Sequence, residues 1–208
     1  MYRRKLEESD VIRMRLPKRH WEASFESINN VPENGDPPLK DTVKRYFEKI
    51  DDMTTRGVGL LLYGKNGTGK TSASCVFLKE MRRRAYSTMF VEAAELKSAV
   101  FKDIGFDDNE TLWERMKEVD VLVIDDIGKG MHDNTGAFAR IVDELIRHRS
   151  SNCRITWATT NMNLSDLEET LKISTMHALK EAMVPIRVSG RDLRIGVTSD
   201  IVSELNRR

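Results

Sequence analysis

This chain of 208 residues has little of what a metalloprotein, a secreted scaffold or a membrane protein needs. It has two cysteines, Cys75 and Cys153, without metal-ligand spacing, and four scattered histidines. That excludes a disulfide framework and a Cys/His metal site, and reads both thiols as reduced, part-buried residues. No apolar run approaches the roughly 18 residues of a membrane span, and no stretch reads as a secretory leader. The expectation is a cytoplasmic protein with no membrane association. No internal repeat or low-complexity block stands out. The formal net charge is +1, which excludes a grossly basic nucleic-acid binder but allows a local basic face. Charged residues still make up 32%, so the surface is well solvated, and the length suits one domain with a real core.

What is present is concentrated in one octapeptide. Gly64-Lys65-Asn66-Gly67-Thr68-Gly69-Lys70-Thr71 satisfies the P-loop pattern of Gly, four free positions, then Gly-Lys-Thr. A chain of this length matches it by accident on the order of once in a hundred. Residues 58–63, Val-Gly-Leu-Leu-Leu-Tyr, form an apolar run of buried-strand length before it. After it, Ala73, Val76, Phe77, Glu80 and Met81 recur at helical spacing. Strand, glycine loop and helix is the order that phosphate binding requires. Glycines let successive N–H groups converge on the phosphates, and the helix N-terminus adds partial positive charge. Lys70 is placed to reach the β- and γ-phosphates, Thr71 to ligate Mg²⁺, and Ser72 continues the helix start. The expected cofactors are therefore ATP and Mg²⁺.

Residues 1–35 read as a charge-dense N-terminal extension and a candidate partner-binding segment. A short helix falls within 1–15, and an irregular stretch follows in which Trp21 and Phe25 can pack on the core. Gly35-Asp36-Pro37-Pro38 is a turn signal. Residues 36–208 read as the nucleotide-binding domain. Leu39, Val43, Tyr46, Phe47 and Ile50 mark one helix face. Strands are expected over 58–63, 87–91, 119–125, 154–160, 186–188 and 193–197. Helices are expected after Thr71 and over 95–101, 110–118, 137–149 and 164–182. Such alternation implies an α/β fold with a parallel sheet covered on both faces and ligand at the carboxyl ends of the strands.

Val121-Leu122-Val123-Ile124-Asp125-Asp126 is an apolar strand ending in two acids. Adjacent carboxylates at a buried strand end repel each other unless a cation sits there. Asp125 fits a Mg²⁺-organising acid, and Asp126 a residue that orients the attacking water. Ile155-Thr156-Trp157-Ala158-Thr159-Thr160-Asn161 is a second strand with a polar end. Asn161 either holds the lytic water or γ-phosphate, or caps the following helix in competition with Ser165 and Asp166.

The P-loop, Ile124-Asp125-Asp126-Ile127-Gly128, Ala158-Thr159-Thr160-Asn161 and Val188-x-Gly190-x-Asp192-x-Arg194 occur in this order. With them the chain resembles the DnaC/IstB-like branch of AAA+ ATPases, which contains replicative helicase loaders and transposition helper ATPases. The resemblance runs over residues 17–197. It implies a RecA-like P-loop NTPase of three layers, α/β/α, with little or no C-terminal lid. It makes Asp125 and Asp126 the Walker B acids, Asn161 sensor 1 and Arg194 a sensor 2-like arginine. The chain departs from the family at one point. Members carry Ser-Arg-Leu in the helix after sensor 1, where the arginine reaches a neighbour's nucleotide; the matching residues here are His177-Ala178-Leu179. Such an arginine is worth roughly 10³–10⁵ in rate. Hydrolysis is thus expected to be weak without a partner, with Lys180 or Arg187 as replacement cations. The family's loaders also carry an N-terminal partner-binding domain, whereas only about 16 residues precede the core here, too few for an independent fold.

The helix over 95–101 with Lys97, Phe101 and Lys102 lies where these ATPases resemble initiators that grip single-stranded DNA. Lysines can neutralise phosphate and Phe101 can stack on a base, although a core anchor and a solvated face are the plainer readings. Arg82-Arg83-Arg84 either contacts phosphate or complements a helix C-terminus. The implied function is an ATPase that loads a replicative hexameric helicase during DNA replication, with single-stranded DNA and an ATP-dependent homo-oligomer. The alternatives are a transposition helper that delivers a transposase to DNA, a non-hydrolysing ATP-bound adaptor, and a small-molecule P-loop kinase. The Asp125-Asp126 and Thr159-Thr160-Asn161 pairs argue against the kinase.

Overall fold

The inner strands are short and apolar at nearly every position because both faces of the sheet are covered. The computed structural model describes residues 5–28, 31–33, 35–102, 111–128 and 136–193, with 101 and 102 as backbone. In chain order these form α1 (Glu8–Arg13), a 3-10 turn (Lys18–His20), α2 (Leu39–Glu48), α3 (Ile50–Arg56), β1 (Gly59–Tyr63), α4 (Lys70–Arg83), β2 (Thr88–Glu92), α5 (Glu95–Lys102), α6 (Leu112–Glu118), β3 (Val121–Asp125), α7 (Ala137–Ser151), β4 (Ile155–Thr160), α8 (Leu164–Ala182) and β5 (Met183–Arg187). Among the described residues the five strands are parallel, in the order β2-β3-β4-β1-β5.

Strand side chains alternate between two cores, as a period of two requires. Leu61, Met89, Val91, Leu122, Ile124 and Ala158 meet the apolar faces of α5, α6, α7 and α8. Leu60, Leu62, Phe90, Val121, Val123 and Trp157 meet α2, α4 and the N-terminal segment. The result is the expected three-layer α/β/α architecture. In the second core the Trp157 and Phe77 rings stack with centroids 3.9 Å apart, and Tyr46 meets both edge-on. The Tyr46 hydroxyl donates to Val58 O at 2.6 Å, and burial pushes its pKa up. Among the described residues no helix is long and apolar enough to cross a membrane.

The N-terminal segment packs on this second core. Val11, Met14, Leu16 and Ile28 are buried in it, with Trp21 and Phe25 against its rim as anticipated. Phe90 N donates to Met14 O at 2.8 Å, which pairs one group on the open edge of β2. Arg82 pairs with the buried Asp10 at 3.1 Å, Arg83 pairs with Glu80, and Arg84 lies 5.6 Å over the Phe47 ring. The triple arginine is therefore spent on contacts within the chain.

Four sequence expectations need correcting. The helix through Ile50 is two helices, α2 and α3, broken at Lys49, whose φ of −109° leaves the helical range. The strand expected over 186–188 runs instead over Met183–Arg187. It follows α8 without a loop, and Pro185 fits because β5, among the described residues, is an edge strand paired only with β1. Cys153 is exposed, not part-buried. Finally, α8 contains a break at Lys172, with φ 70° and ψ 155°, that no sequence signal marks. The strand expected over 193–197 and the absence of a lid concern residues beyond Leu193, outside the described residues.

At the amino ends of β3 and β4, opposite the P-loop, Arg149 is fully buried. Among the described residues no carboxylate lies within ion-pair distance of it. Its guanidinium donates to Met116 O (2.7 Å), Val119 O (2.8 Å), Ile155 O (2.7 Å) and Thr156 Oγ1 (2.9 Å). It thereby ties the end of α6 to two strands, and burial pulls its pKa down. Arg149→Met keeps the bulk but strands those acceptors, so stability should fall by about 3 kcal/mol. A urea denaturation midpoint unchanged from the parent would show that the clamp is dispensable.

Candidate nucleotide-binding site

The loop between β1 and α4 turns through three glycines with positive φ: Gly64 at 138°, Gly67 at 74° and Gly69 at 95°. Space demands glycine at two of them as well. A Cβ on Gly64 would lie 2.3 Å from Val188 O, and one on Gly67 would lie 1.8 Å from an Asp192 carboxylate oxygen. The segment 188–193 is thus strapped over the loop, and Leu193 N donates to Gly67 O at 3.0 Å. Gly69 delivers the chain into α4, so the unpaired N–H groups of that helix open toward the loop. Lys70 is 5% exposed, and its ammonium donates to Gly64 O (2.7 Å) and Lys65 O (2.6 Å).

The two acids stand at the tip of β3, beside the tip of β4, because those strands pair in register with Ile124 opposite Ala158. Thr71 Oγ1 donates to Asp125 at 3.0 and 3.2 Å, and Thr159 Oγ1 donates to Asp125 Oδ1 at 2.6 Å. Asp125 is 7% exposed. Burial raises its pKa and the neighbouring Asp126 adds to that, against the two hydroxyl donors. Asp126 has φ 61°, in the left-handed region that aspartate tolerates better than most residues. Its N–H donates to Thr159 Oγ1 at 2.9 Å, and its carboxylate accepts from Asn161 Nδ2 at 2.5 Å. The cap of α8 is Asn163, which accepts from Asp166 N at 2.9 Å. Asn161 is therefore not the cap, its amide instead holding Asp126, and neither Ser165 nor Asp166 is the cap.

These groups line a cleft of about 430 Å³ formed by Gly67, Thr68, Gly69, Lys70, Thr71, Ser72, Asp125, Asp126, Thr159 and Asn161 with Arg19, His20 and Leu193. Gly64 and Lys65 line a neighbouring cleft of about 310 Å³ that shares Asn161, and the Asn66 side chain is exposed. The Thr71 hydroxyl and Asp125 carboxylate form a hard-oxygen donor pair that suits Mg²⁺. Among the described residues no cluster of three or more acidic, His or Cys side chains could hold a metal alone, so phosphate oxygens would complete the shell.

Other expected site residues lie elsewhere. Lys97 is half-buried on α5, away from the cleft. The side chains of Phe101 and Lys102, and all of Arg194, lie outside the described residues. Ala178 is 3% exposed within the core against α7, so an arm rooted there starts from inside the protein. Lys180 pairs with Glu168 at 3.3 Å, whereas Arg187, 3.8 Å from Asp36, does lie near the site, lining the 310 Å³ cleft with Gly64, Lys65 and Asn161. Sequence reasoning missed Thr159, Arg19, His20 and Leu193 as site residues. The polar end of β4 was the available signal for Thr159. The turn carrying Arg19 and His20 has no local signal, since its place depends on contacts more than fifty residues away.

Thr159→Val removes a donor to Asp125 and the acceptor for Asp126 N–H. Stability should fall by about 1–3 kcal/mol, and Mg²⁺-dependent ATP binding should weaken with it. Thr159→Ser should retain both. Calorimetric titration alongside urea unfolding checks this, and a valine variant equal to the serine variant in both would refute it.

Residues 45–184 match the family model described as IstB-like ATP binding protein. The replicative helicase loader DnaC of Escherichia coli (strain K12) is 27% identical over 164 residues, 77% of this chain and 64% of that protein. The replicative helicase loader DnaI of Bacillus subtilis (strain 168) is 27% identical over 162 residues, 71% of this chain and 51% of that protein. The chain thus spans less than two thirds of either relative. Among solved structures, the crystal structure of the DnaC helicase loader superposes with a TM-score of 0.71 at 20% identity, over 83% of this chain and 100% of that one. The replication initiator DnaA bound to AMPPCP and single-stranded DNA superposes at 0.63 and 17% identity, over 93% of this chain and 57% of that one. At these identities the structural likeness concerns the fold, the AAA+ P-loop architecture.

Proposed function

The chain belongs to the IstB-like ATP-binding protein family, and on that footing we propose that it is an ATPase that loads a replicative helicase onto DNA. The observation that carries the catalytic half of this reading is one cluster: Thr71 on Asp125 and Asn161 on Asp126, side by side at the mouth of the P-loop. The Gly67–Ser72 amides and the Lys70 ammonium hold the β- and γ-phosphates. Thr71 and Asp125 hold Mg²⁺, which when bound supplies Lewis-acid polarisation of the phosphoryl oxygens. Asp126 orients the attacking water, and Asn161 fixes the rotamer of that carboxylate. The family resemblance gives Arg194 the role of a sensor 2-like cation.

The partner half of the reading rests on the DnaC and DnaI relatives, both replicative helicase loaders. We assign the partner as a hexameric helicase, with single-stranded DNA gripped near Lys97, Phe101 and Lys102 and protomers assembling around ATP in the cytoplasm. A second reading, delivery of a transposase to DNA, is favoured by the IstB-like family match itself. Co-purification from the native host, followed by ATP-dependent loading of the captured protein onto a single-stranded circle, separates them. Capture of a transposase in place of a helicase would replace the first reading with the second.

Lys70→Ala should abolish ATP binding and leave the fold intact, because the side chain serves charge rather than packing. Asp126→Asn should keep Mg·ATP binding and lose most turnover, since Asp125 still organises the metal. Single-turnover phosphate release beside equilibrium binding reads both. Equal loss of binding and turnover in the Asp126 variant would contradict the division of labour between the acids.

A further inference from the structure

Lys79 is the one buried lysine of α4 apart from Lys70 of the P-loop, and nothing in the proposed chemistry uses it. It is 4% exposed. Its ammonium donates to Trp21 O and, at 2.7 Å, to Ala23 O. Among the described residues no carboxylate lies within ion-pair distance. An ammonium whose hydrogen bonds go only to carbonyls costs more to bury than an apolar side chain of that size, even with the Glu22 charge near enough to favour it. What lysine adds is a fixed attachment for residues 21–23.

Those residues close the turn that reaches the cleft. Trp21 Nε1 donates to Leu16 O at 2.9 Å, His20 N to Pro17 O at 2.9 Å, and Trp21 N to Lys18 O at 3.1 Å. The Lys18–His20 turn is thus braced internally. Leu16 in the core anchors it on one side, and Lys79 anchors it on the other. Helical spacing puts Ser72 and Lys79, seven residues apart, on one face of α4, with Arg82 on Asp10 one turn further on. Thr71 lies about 100° round the helix and meets Asp125. The N-terminal segment therefore runs along the face away from the two acids, and Arg19 and His20 line the cleft there beside Ser72. Leu193 completes that side, on a strap tied to the same segment by Ser189 Oγ and Glu33 at 3.0 Å. This wall flanks the start of α4, where the nucleotide reading seats the triphosphate.

We propose that Lys79 is a positioning residue: it holds the Lys18–His20 turn in place as the nucleoside-side wall of the nucleotide cleft. The proposal rests on the nucleotide-site reading above, so its test must separate the two. Mg·ATP and Mg·tripolyphosphate are titrated calorimetrically into the parent protein, Lys79→Met, Lys79→Arg, the pair Arg19→Ala with His20→Ala, and Lys70→Ala, with thermal unfolding recorded for each. Lys79→Met should lose on the order of tenfold in ATP affinity while tripolyphosphate, which has no nucleoside, stays within about twofold. Lys79→Arg, which can still donate to two carbonyls, should keep most of the ATP affinity. The Arg19/His20 double variant should show the same selective loss, and adding Lys79→Met to it should cost little more. A folded Lys79→Met protein with parental ATP affinity, or one that loses tripolyphosphate in step with ATP, overturns the proposal. Should that variant fail to fold, the Arg19/His20 variant decides, and unchanged ATP affinity there overturns it equally. Loss of both ligands in Lys70→Ala confines such a failure to Lys79, whereas their retention would overturn the P-loop reading itself.

Discussion

One hydroxyl organises the candidate nucleotide site of this molecule. Thr159 Oγ1 donates to Asp125 and accepts from the N–H of Asp126, so both acids take their bearing from the neighbouring strand. That is possible only because β3 and β4 pair in parallel with a fixed register, and a slip of one residue would turn Thr159 to the other face. The register is held by burial on both sides, since a slip would also exchange the residues offered to the two cores. Asp126 carries the cost. It sits at positive φ beside a like charge, an arrangement that persists only where the surroundings over-determine it. The Asn161 amide, the Thr159 hydroxyl and the following N–H of Ile127 on Thr159 O provide that determination.

The second organising element is α4, which serves different partners on different faces. Its start opens toward the phosphate loop. Thr71 points to Asp125, the apolar residues Ala73, Val76, Phe77 and Met81 pack beneath the sheet, and Lys79 and Arg82 reach out to the N-terminal segment. A single helix thus connects Asp125 with the N-terminal segment. Cys75 on the same helix is buried with its thiol pushed up to about 12, chiefly by burial, so it packs as an inert small side chain.

Much of this was legible in the sequence, for physical reasons that also explain the gaps. The P-loop and the apolar strand ending in two acids are local patterns whose chemistry needs those residues at those spacings, and both fell in place. Strand and helix order followed from periodicity, because each element buries a face of its own. Three kinds of feature did not show. Pro185 hid the first half of β5, since proline argues against an inner strand but not against an edge one. The break at Lys172 carries no glycine or proline, so no local residue signals it. The turn with Arg19 and His20 reads as irregular because its position is imposed from α4, far along the chain.

Ala178 shows where matching by sequence pattern alone stops. His177-Ala178-Leu179 was read as the place of an arginine that acts on a neighbour's nucleotide. Yet Ala178 and Leu179 are both buried against α7, while His177 is exposed. On a helix with one face in the core, neighbouring positions differ by about 100°, so an error of one residue in matching exchanges a buried site for an exposed one. The break at Lys172 adds to this, because it interrupts the helical phase between Asn161 and His177 from which such a match would be counted. An outward-reaching cation in this region must come from an exposed position of the second half of α8 or from β5. Lys180 and Arg187 meet that condition, but not equally: Lys180 holds a surface ion pair, which solvent screens and which costs little to exchange for a phosphate, whereas Arg187 faces a buried Asp36 oxygen that its departure would leave without a counter-charge.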